Sequence, residues 1–420
     1  MIADAFLAAQ AERWQQQLRE LIQIPSLFEH EHAVVDFVSG CITALGLPVH
    51  RVAHARDRLA SLPDAQPPFS DVEGRCSLAT RVNGCGGGRS IVLSAHLDVV
   101  PPGDCGRWSH DPFAADVDVQ EGLVYGRGAM DDKAGVAISL AVLEALVRLP
   151  IRLRGDVVFH YVLENETTGN GSLLCLADRH TGDAVAIIDG TRLDRLINEH
   201  AGQLQFAITV RGQPASVAVS HLGLNAAELA ARLVLALRDA VHALNGVRTP
   251  PWTRFPSPFQ LCVQRIHSEG AQLTVPDRAD AQCYVTFAPP LVLADVRDLV
   301  ARTVRAVESR LGPEAPASPV TIHWDGLAVE PTRALAGTLQ DIVVAAARRA
   351  GVAGVVPGPS TGTSDLRHFA RLGIPGVLYG PGNGHNPHRA DEHYAVGDLV
   401  TMVAIYLDVI RSWCGDAGVT

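Results

Sequence analysis

Residues 90–101 read SIVLSAHLDVVP, an apolar run that ends in a histidine and an aspartate. A short, continuous apolar run of this kind predicts a buried strand, with His96 and Asp98 at its carboxyl end. Two later apolar runs, residues 156–163 and 184–188, are also followed at once by acidic side chains. Because polar ligands collect at the carboxyl ends of parallel strands, this repeated pattern predicts an α/β fold with a site at one sheet edge.

The segments between these strands have helical periodicity. Residues 135–149 are apolar at helical spacing, and residues 334–350 form a second amphipathic run after Pro331. Strands that alternate with helices predict a mostly parallel sheet covered on both faces. We therefore expect a mostly parallel α/β domain, completed by a strand near residues 376–379 and a C-terminal helix.

The pattern changes near residue 201. The predicted elements are then strand 203–211, helix 225–244, strands 261–266 and 282–287, helix 294–310 and strand 320–324. This β-α-β-β-α-β order is that of a ferredoxin-like unit. We expect residues 1–200 and 331–420 to form one discontinuous domain, with 201–330 inserted as a lid.

Composition excludes several classes of protein. The net charge of −10 argues against nucleic acid as a partner, and no apolar stretch is long enough to cross a bilayer. The N-terminal 19 residues have an amphipathic helix pattern that differs from a signal peptide. The eight cysteines include no Cys-x-x-Cys pair, so we expect them to be reduced in a cytoplasmic protein.

Five clusters carry the candidate chemistry. They are His96 with Asp98, the stretch GRGAMDDK at 126–133, ENETTGNG at 164–171, Asp189, and the loop after Gly380 with His385, His388, Asp391, Glu392 and His393. A single acid after a strand is usually a helix cap. So many acids together with a histidine-rich loop instead predict the mixed nitrogen and oxygen ligands of catalytic zinc. Lys133, the chain's single lysine, stands directly beside two aspartates.

In order along the chain, these motifs resemble those of the di-zinc aminoacylases, acetylornithine deacetylases, succinyl-diaminopimelate desuccinylases and glutamate carboxypeptidases. The resemblance implies two divalent metal ions, most simply Zn²⁺, held by His96, Asp131, Glu166, Asp189 and His388. It further implies that Asp131 bridges the ions, that Asp98 orients His96, and that the 131–132 peptide is cis. It leaves open which ion Glu166 binds. A homodimer formed through the lid is also implied.

The sequence departs from the family pattern at the groups that move protons. The family's general base is a glutamate where this chain has Asn165, and the lid histidine is replaced by Ser216. An amide cannot accept a proton at neutral pH, so Glu164 is a candidate substitute base. At two further lid positions, where the family often binds the substrate carboxylate, this chain has Leu273 and Thr286. Thr363 and Arg367 are candidates for binding substrate, with a structural salt bridge as the alternative for Arg367.

Three functions remain compatible with these residues. The first is a metal-dependent amidohydrolase that acts on an N-acyl amino acid or a related small-molecule amide. The second is the same scaffold used for acyl transfer or condensation, since loss of the base suppresses hydrolysis. The third is a catalytically silent protein that retains its metal ions. Hydrolysis stands first because the metal-ligand motifs are the more specific signal.

Overall fold

The computed structural model describes residues 2–190, 192–312, 318–335 and 337–418. The chain divides into two compact units. The first contains Met1–Asn198, Arg333–Gly358 and Ser364–Thr420, and the second contains Glu199–Thr332 and Pro359–Thr363. The first unit is therefore discontinuous in sequence, and the chain leaves it and returns to it near residues 199 and 333.

Both units contain α-helices. In chain order the α-helices are α1 (Ile2–Ile22), α2 (His32–Ala44), α3 (Arg56–Ser61), α4 (Lys133–Arg148), α5 (Asn170–Ala177), α6 (Ala226–Ala243), α7 (Leu293–Glu308), α8 (Thr338–Arg349), α9 (Leu366–Arg371) and α10 (Asp398–Cys414). The helix predicted at 334–350 thus begins four residues later. Gly337, an extended residue, precedes its first turn.

The strands form three sheets. In chain order they are β1 (His50–Ala53), β2 (Cys76–Val82), β3 (Ile91–His96), β4 (Val117–Asp118), β5 (Leu123–Tyr125), β6 (Val157–Val162), β7 (Val185–Ile187), β8 (Arg195–His200), β9 (Gly202–Arg211), β10 (Gln260–Glu269), β11 (Arg278–Phe287), β12 (Val320–His323), β13 (Ala328–Val329), β14 (Thr332–Arg333), β15 (Val356–Ser360), β16 (Gly376–Leu378), β17 (Gly384–His385) and β18 (His393–Ala395).

The large sheet has a parallel centre, as the apolar runs predicted. Its strand order is β1-β2-β6-β3-β7-β16-β8-β14, with β15 paired to β8. β3 pairs in parallel with both β6 and β7, and β16 pairs in parallel with β7. Every residue of β3 and β6 is buried, because helices cover both faces of a parallel sheet. These strands therefore end at one common edge of the sheet.

Helix α4 lies in the centre of the first core. It contacts α1, α10 and β3, and it is buried continuously from Lys133 to Leu146. Its one acidic residue, Glu144, accepts hydrogen bonds from Trp14 Nε1 at 2.8 Å and from Arg13. Full burial of each large apolar side chain contributes about 1.5–3 kcal/mol. This packing fixes the position of the turn that precedes α4.

The second unit has the predicted β-α-β-β-α-β order. Its sheet runs β10-β11-β9-β12, with β13 also paired to β9, and these strands pair antiparallel. β9 alternates buried and half-buried residues over most of its length, as expected for a sheet with one covered face. Helices α6 and α7 pack together, and Leu229, Leu233, Val296 and Val300 are among their buried side chains.

A small third sheet belongs to the first unit. Its order is β17-β18-β5-β4, and its register places His385 opposite His393 and His393 opposite Tyr125. β5 leads into the stretch that carries Asp131, and β17 lies three residues before His388. Across the described residues, none of the helices has the length and apolar character needed to span a membrane.

Candidate metal centre

The five predicted ligands converge in the first unit. His96, Asp131 and Asp189 form one group of potential metal ligands, and Asp131, Glu166 and His388 form another. Within each group, one ligand atom per residue lies within 4.8 Å of the others. Asp131 belongs to both groups, since its Oδ1 faces His96 Nε2 and its Oδ2 faces His388 Nε2. The structure thus groups Glu166 with His388, which the sequence left open.

His96 ends β3 and is oriented by the main chain that follows it. Its Nδ1 lies 2.9 Å from the carbonyl oxygen of Asp98, and its Nε2 lies 2.9 Å from Asp131 Oδ1. Because a carbonyl oxygen only accepts, Nδ1 donates to it, and Nε2 is the nitrogen that faces the Asp131 carboxylate. This is the orientation of a histidine that would ligate a metal ion through Nε2 once the ion replaces the Nε2 proton. Asp189 Oδ1 lies 3.9 Å from the same nitrogen.

The second group is more open to solvent. His388 Nε2 lies 3.0 Å from Glu166 Oε2 and 3.3 Å from Asp131 Oδ2. The side chain of His388 is 51% exposed, whereas that of Glu166 is 7% exposed. His388 has a backbone φ of 60°, in the left-handed region, and the loop between β17 and β18 holds it there. An ion in this group would therefore exchange with solvent more easily than one beside His96.

The charges of the centre fit a pair of divalent cations. Burial, followed by the charge of Asp131, raises the pKa of Asp189 to about 8. Three carboxylates crowded into a buried space repel one another, and cations remove that cost. Imidazole nitrogen and carboxylate oxygen together form the ligand set of catalytic zinc. The donors present are therefore compatible with two metal ions.

Two aspartates support the ligands without joining either group. The Asp98 carboxylate accepts hydrogen bonds from the main-chain N–H groups of Asn165 at 3.3 Å and Glu166 at 3.2 Å. Asp132 Oδ2 accepts from the N–H of His96 at 3.1 Å. The peptide between Asp131 and Asp132 is cis, as the resemblance implied. Asp98 thus ties the end of β3 to the loop that carries Glu166.

Glu392 is a supporting residue that the sequence reasoning placed only within a motif. Its buried carboxylate receives hydrogen bonds from Arg127 Nη1 and from the N–H groups of Gly128 at 3.1 Å, Met130 at 3.0 Å and Asp131 at 3.1 Å. One side chain from the His388 loop therefore fixes the whole turn that presents Asp131. A glutamate beside an acid-rich loop carries no pattern that predicts this role.

Lys133 anchors the same region from the other side. Its N–H donates to Gly128 O at 2.7 Å, and its Nζ donates to Ser26 Oγ at 2.6 Å. Ser26 Oγ in turn donates to the carbonyl of Leu97 at 2.6 Å, directly after His96. Burial lowers the pKa of Lys133 to about 7, against the raising effect of Asp98 and Asp132. The single lysine thus links the Asp131 turn to the end of β3.

Glu164, the candidate substitute base, has fixed partners in the structure. The Glu164 carboxylate accepts from Arg75 Nη1 at 3.1 Å and from Thr168 Oγ1 at 2.5 Å, and it is almost fully buried. Asn165, the next residue, lies near the carboxylate of Asp365. Burial raises the pKa of the Asp365 carboxyl, and the charge of Arg367 opposes the rise, followed by smaller effects of Ser172 and Asn165. Glu164 therefore belongs to a buried ion-pair network.

The remaining candidates are placed as follows. Arg367 Nη1 donates to Ser364 O at 3.0 Å and its Nη2 donates to Thr168 O at 2.5 Å. Arg367 Nη1 also lies 3.7 Å from Asp365 Oδ1, and a role for Arg367 in binding substrate stays a prediction. Thr363 and Ser216 belong to the second unit. Ser216 is exposed and caps the 3₁₀ helix Val217–Leu222, where its Oγ accepts from Ala218 N at 3.4 Å.

The fold and the paired ligand groups define a class of metal-dependent hydrolases. A family model for Peptidase family M20/M25/M40 matches residues 92–412. The chain belongs to this family, and it is an enzyme of the hydrolase class, as the motifs predicted. Similar curated proteins include a succinyl-diaminopimelate desuccinylase of Methylobacterium nodulans, 29% identical over 415 residues, with 94% of this chain and 95% of the relative covered.

Solved structures of the family share the fold. A tripeptidase of Staphylococcus aureus aligns with a TM-score of 0.73 at 20% identity, covering 96% of this chain and 98% of the other. A dinuclear metal-binding M20 peptidase of Bacillus subtilis aligns with a TM-score of 0.66 at 17% identity, covering 97% and 99%. The family, the dinuclear neighbour and the two ligand groups together support two metal ions.

Proposed function

We propose that the protein is a zinc-dependent amidohydrolase that cleaves an N-acyl amino acid or a closely related amide. The observation that carries this proposal is the pair of ligand groups that share Asp131. The curated relative named a succinyl-diaminopimelate desuccinylase favours an N-acylated amino acid as the substrate class. Imidazole and carboxylate ligands favour zinc over magnesium or calcium, which prefer oxygen alone.

Bound metal ions supply Lewis acidity, and they lower the pKa of a water molecule bound to them so that it can act as a nucleophile at neutral pH. The chain's own residues orient that chemistry. His96, Asp131 and Asp189 would hold one ion, and Asp131, Glu166 and His388 the other. Asp98 and Glu392 hold the loops of these ligands through main-chain hydrogen bonds. Asp131 and the His388 loop are thereby fixed before substrate arrives, which limits the reorganisation that catalysis requires.

Proton transfer is the step for which the chain is poorly equipped. Asn165 stands at the position of the family base, and its amide can exchange hydrogen bonds but cannot take a proton. Glu164 is engaged by Arg75 and Thr168. General-base catalysis contributes about 10²–10⁴ in rate, so hydrolysis of simple amides should be slow. The same observation favours a second candidate, acyl transfer or condensation, in which water must not compete.

The test is turnover of zinc-loaded protein on a panel of N-acyl amino acids, including succinylated and acetylated diamino acids. Asn165→Glu should raise the hydrolysis rate at least tenfold. Asn165→Gln, whose side chain is as long as that of glutamate but has no basic group, should leave the hydrolysis rate unchanged. Brisk wild-type hydrolysis that neither change affects would mean that Asn165 does not occupy the base position. A wild-type protein that transfers an acyl group to an added amine would favour the second candidate.

We also propose that the protein forms a homodimer through the second unit. We further propose that it is located in the cytoplasm. Strand β10 lies at the edge of its sheet, and unpaired edges favour pairing with another strand. All eight cysteines are free, which fits a reducing compartment. Light scattering together with pairing-blocking substitutions on β10, such as Ile266→Pro, would test the dimer. A monomeric wild-type protein would contradict it.

A further inference from the structure

The small sheet of the first unit carries a pair of histidines outside the two ligand groups. His385 in β17 lies directly opposite His393 in β18. Side chains that face each other across antiparallel strands project on the same side, with their Cβ atoms about 4.5–5.5 Å apart. The two ring centres are 5.4 Å apart and the planes meet at 39°. Small rotations about the side-chain bonds can therefore bring one nitrogen of each ring onto a shared ion.

His393 is already oriented as a metal ligand would be. Its Nδ1 lies 2.8 Å from the carbonyl oxygen of Asp391, so Nδ1 carries the proton and Nε2 keeps its lone pair. A hydrogen bond of this kind to a backbone carbonyl is the usual support of a ligating histidine. The Tyr125 ring packs against His393 with its centre 5.0 Å away, and it limits the rotation of the imidazole.

His385 supplies the adaptable half of the pair. It is exposed to solvent, so its imidazole can turn toward His393 at little cost. A third surface imidazole in the same row, His110, is stacked on Tyr125 with ring centres 4.2 Å apart and pairs with Asp116 at 3.2 Å. Tyr125 therefore separates His110 from the pair, and His110 is already engaged.

We propose that His385 and His393 form a third, solvent-exchangeable site for a transition-metal ion. Imidazole suits zinc, nickel and copper, and it does not suit magnesium or calcium. With only two protein ligands, water completes the coordination, so the site binds more weakly than the two inner groups. The net charge of −10 attracts cations to the surface in general, and the histidine pair selects among them.

The position of the pair connects it to the inner ligands. β5 continues into the turn of Asp131, and His385 is followed three residues later by His388. Gly384, beside His385, lies so close to Met130 that an added Cβ would stand 2.7 Å from its sulfur. An ion bound to His385 and His393 would therefore lie on β17 and β18, close in the fold to the inner ligands Asp131 and His388.

The test uses full-length protein whose two inner groups are filled with zinc and freed of excess metal. The protein is dialysed against Ni²⁺, and both bound nickel and retained zinc are measured by mass spectrometry. One nickel per chain should bind without loss of zinc, and histidine NMR signals of residues 385 and 393 should broaden first. Mg²⁺ should produce neither effect.

Three variants complete the experiment. His385→Gln and His393→Gln should each abolish the additional nickel while both zinc ions remain. His110→Gln, a surface imidazole of the same row, should retain it. A wild-type chain that binds nickel only by displacing zinc, or additional nickel that survives His385→Gln, would overturn the proposal. Because His385 is exposed, its replacement should not affect folding, and an unchanged thermal midpoint would verify this.

Discussion

Replacing Glu392 by glutamine should weaken the binding of both metal ions at once. In the protein, Glu392 Oε1 accepts from the N–H groups of Met130 and Asp131, and Oε2 accepts from Gly128 N–H and Arg127. A glutamine keeps the shape but has only one acceptor oxygen. Its NH₂ group must then face two of the four donors, and the buried Arg127 loses its counter-charge.

The magnitude follows from these contacts. Removing one partner of a buried ion pair typically costs about 3–5 kcal/mol of stability. Loss of a support behind a ligand typically lowers metal affinity about 10–100-fold. Because Asp131 belongs to both ligand groups, we expect Glu392→Gln to lower the affinity for both ions. A variant that loses affinity for only one ion would mean that Asp131 is not shared.

The assay is competition for zinc between the protein and a chromophoric chelator, with thermal unfolding of the metal-free protein measured in parallel. Asp391→Asn is the matched control. Asp391 is the neighbouring acid, but its carboxylate accepts from Ser109 N at 2.7 Å and Ser109 Oγ at 3.0 Å. The control should retain both ions. Unchanged zinc affinity and unchanged thermal midpoint in Glu392→Gln would refute the reasoning.

Three other predictions concern buried polar groups. Lys133→Met removes the Nζ bond to Ser26 and should lower the thermal midpoint and zinc content together, whereas unchanged values would make the single lysine incidental. Glu164→Gln removes one of the two carboxylates that face Arg75, and because Glu31 still pairs with Arg75 it should cost about 1–3 kcal/mol in urea unfolding, with kcat little changed; a loss of kcat at full stability would identify Glu164 as the base. Burial lowers the pKa of His160 to about 3 from 6.5, so its contribution to stability is complete above pH 6.5 and declines as the pH falls toward 3. At pH 5 this loss is about 2 kcal/mol, and His160→Asn should show a correspondingly smaller drop between pH 7 and pH 5.

Much of the fold was predictable because its signals are local. The strand at 90–96 and the helix at 135–149 correspond to β3 and α4, since continuous apolar runs and helical spacing follow directly from burial. The ferredoxin-like unit was predicted from the order of its elements. Boundaries were less certain, as the later start of α8 shows. The family, the α/β class and the enzymatic nature are confirmed.

The candidate site divides in the same way. The sequence predicts the types of ligand and their positions after the strands, because each strand end is a local feature. The resemblance then assembled His96, Asp131, Glu166, Asp189 and His388 into one centre. Which ligands belong to which ion depends on the distance between loops that are far apart in the chain. Only the folded structure grouped Glu166 with His388.

The sequence by itself determined the element order, the clusters of potential ligands and the absence of a carboxylate at residue 165. The tertiary structure decided which acids are available and which are already paired. Glu164 stands two residues from Glu166, a predicted metal ligand, yet Arg75 and Thr168 bind its carboxylate. Glu392, 261 residues from Asp131, holds the turn of that ligand. Hydrogen bonds between distant segments depend on three-dimensional packing, and no local pattern of residues encodes them.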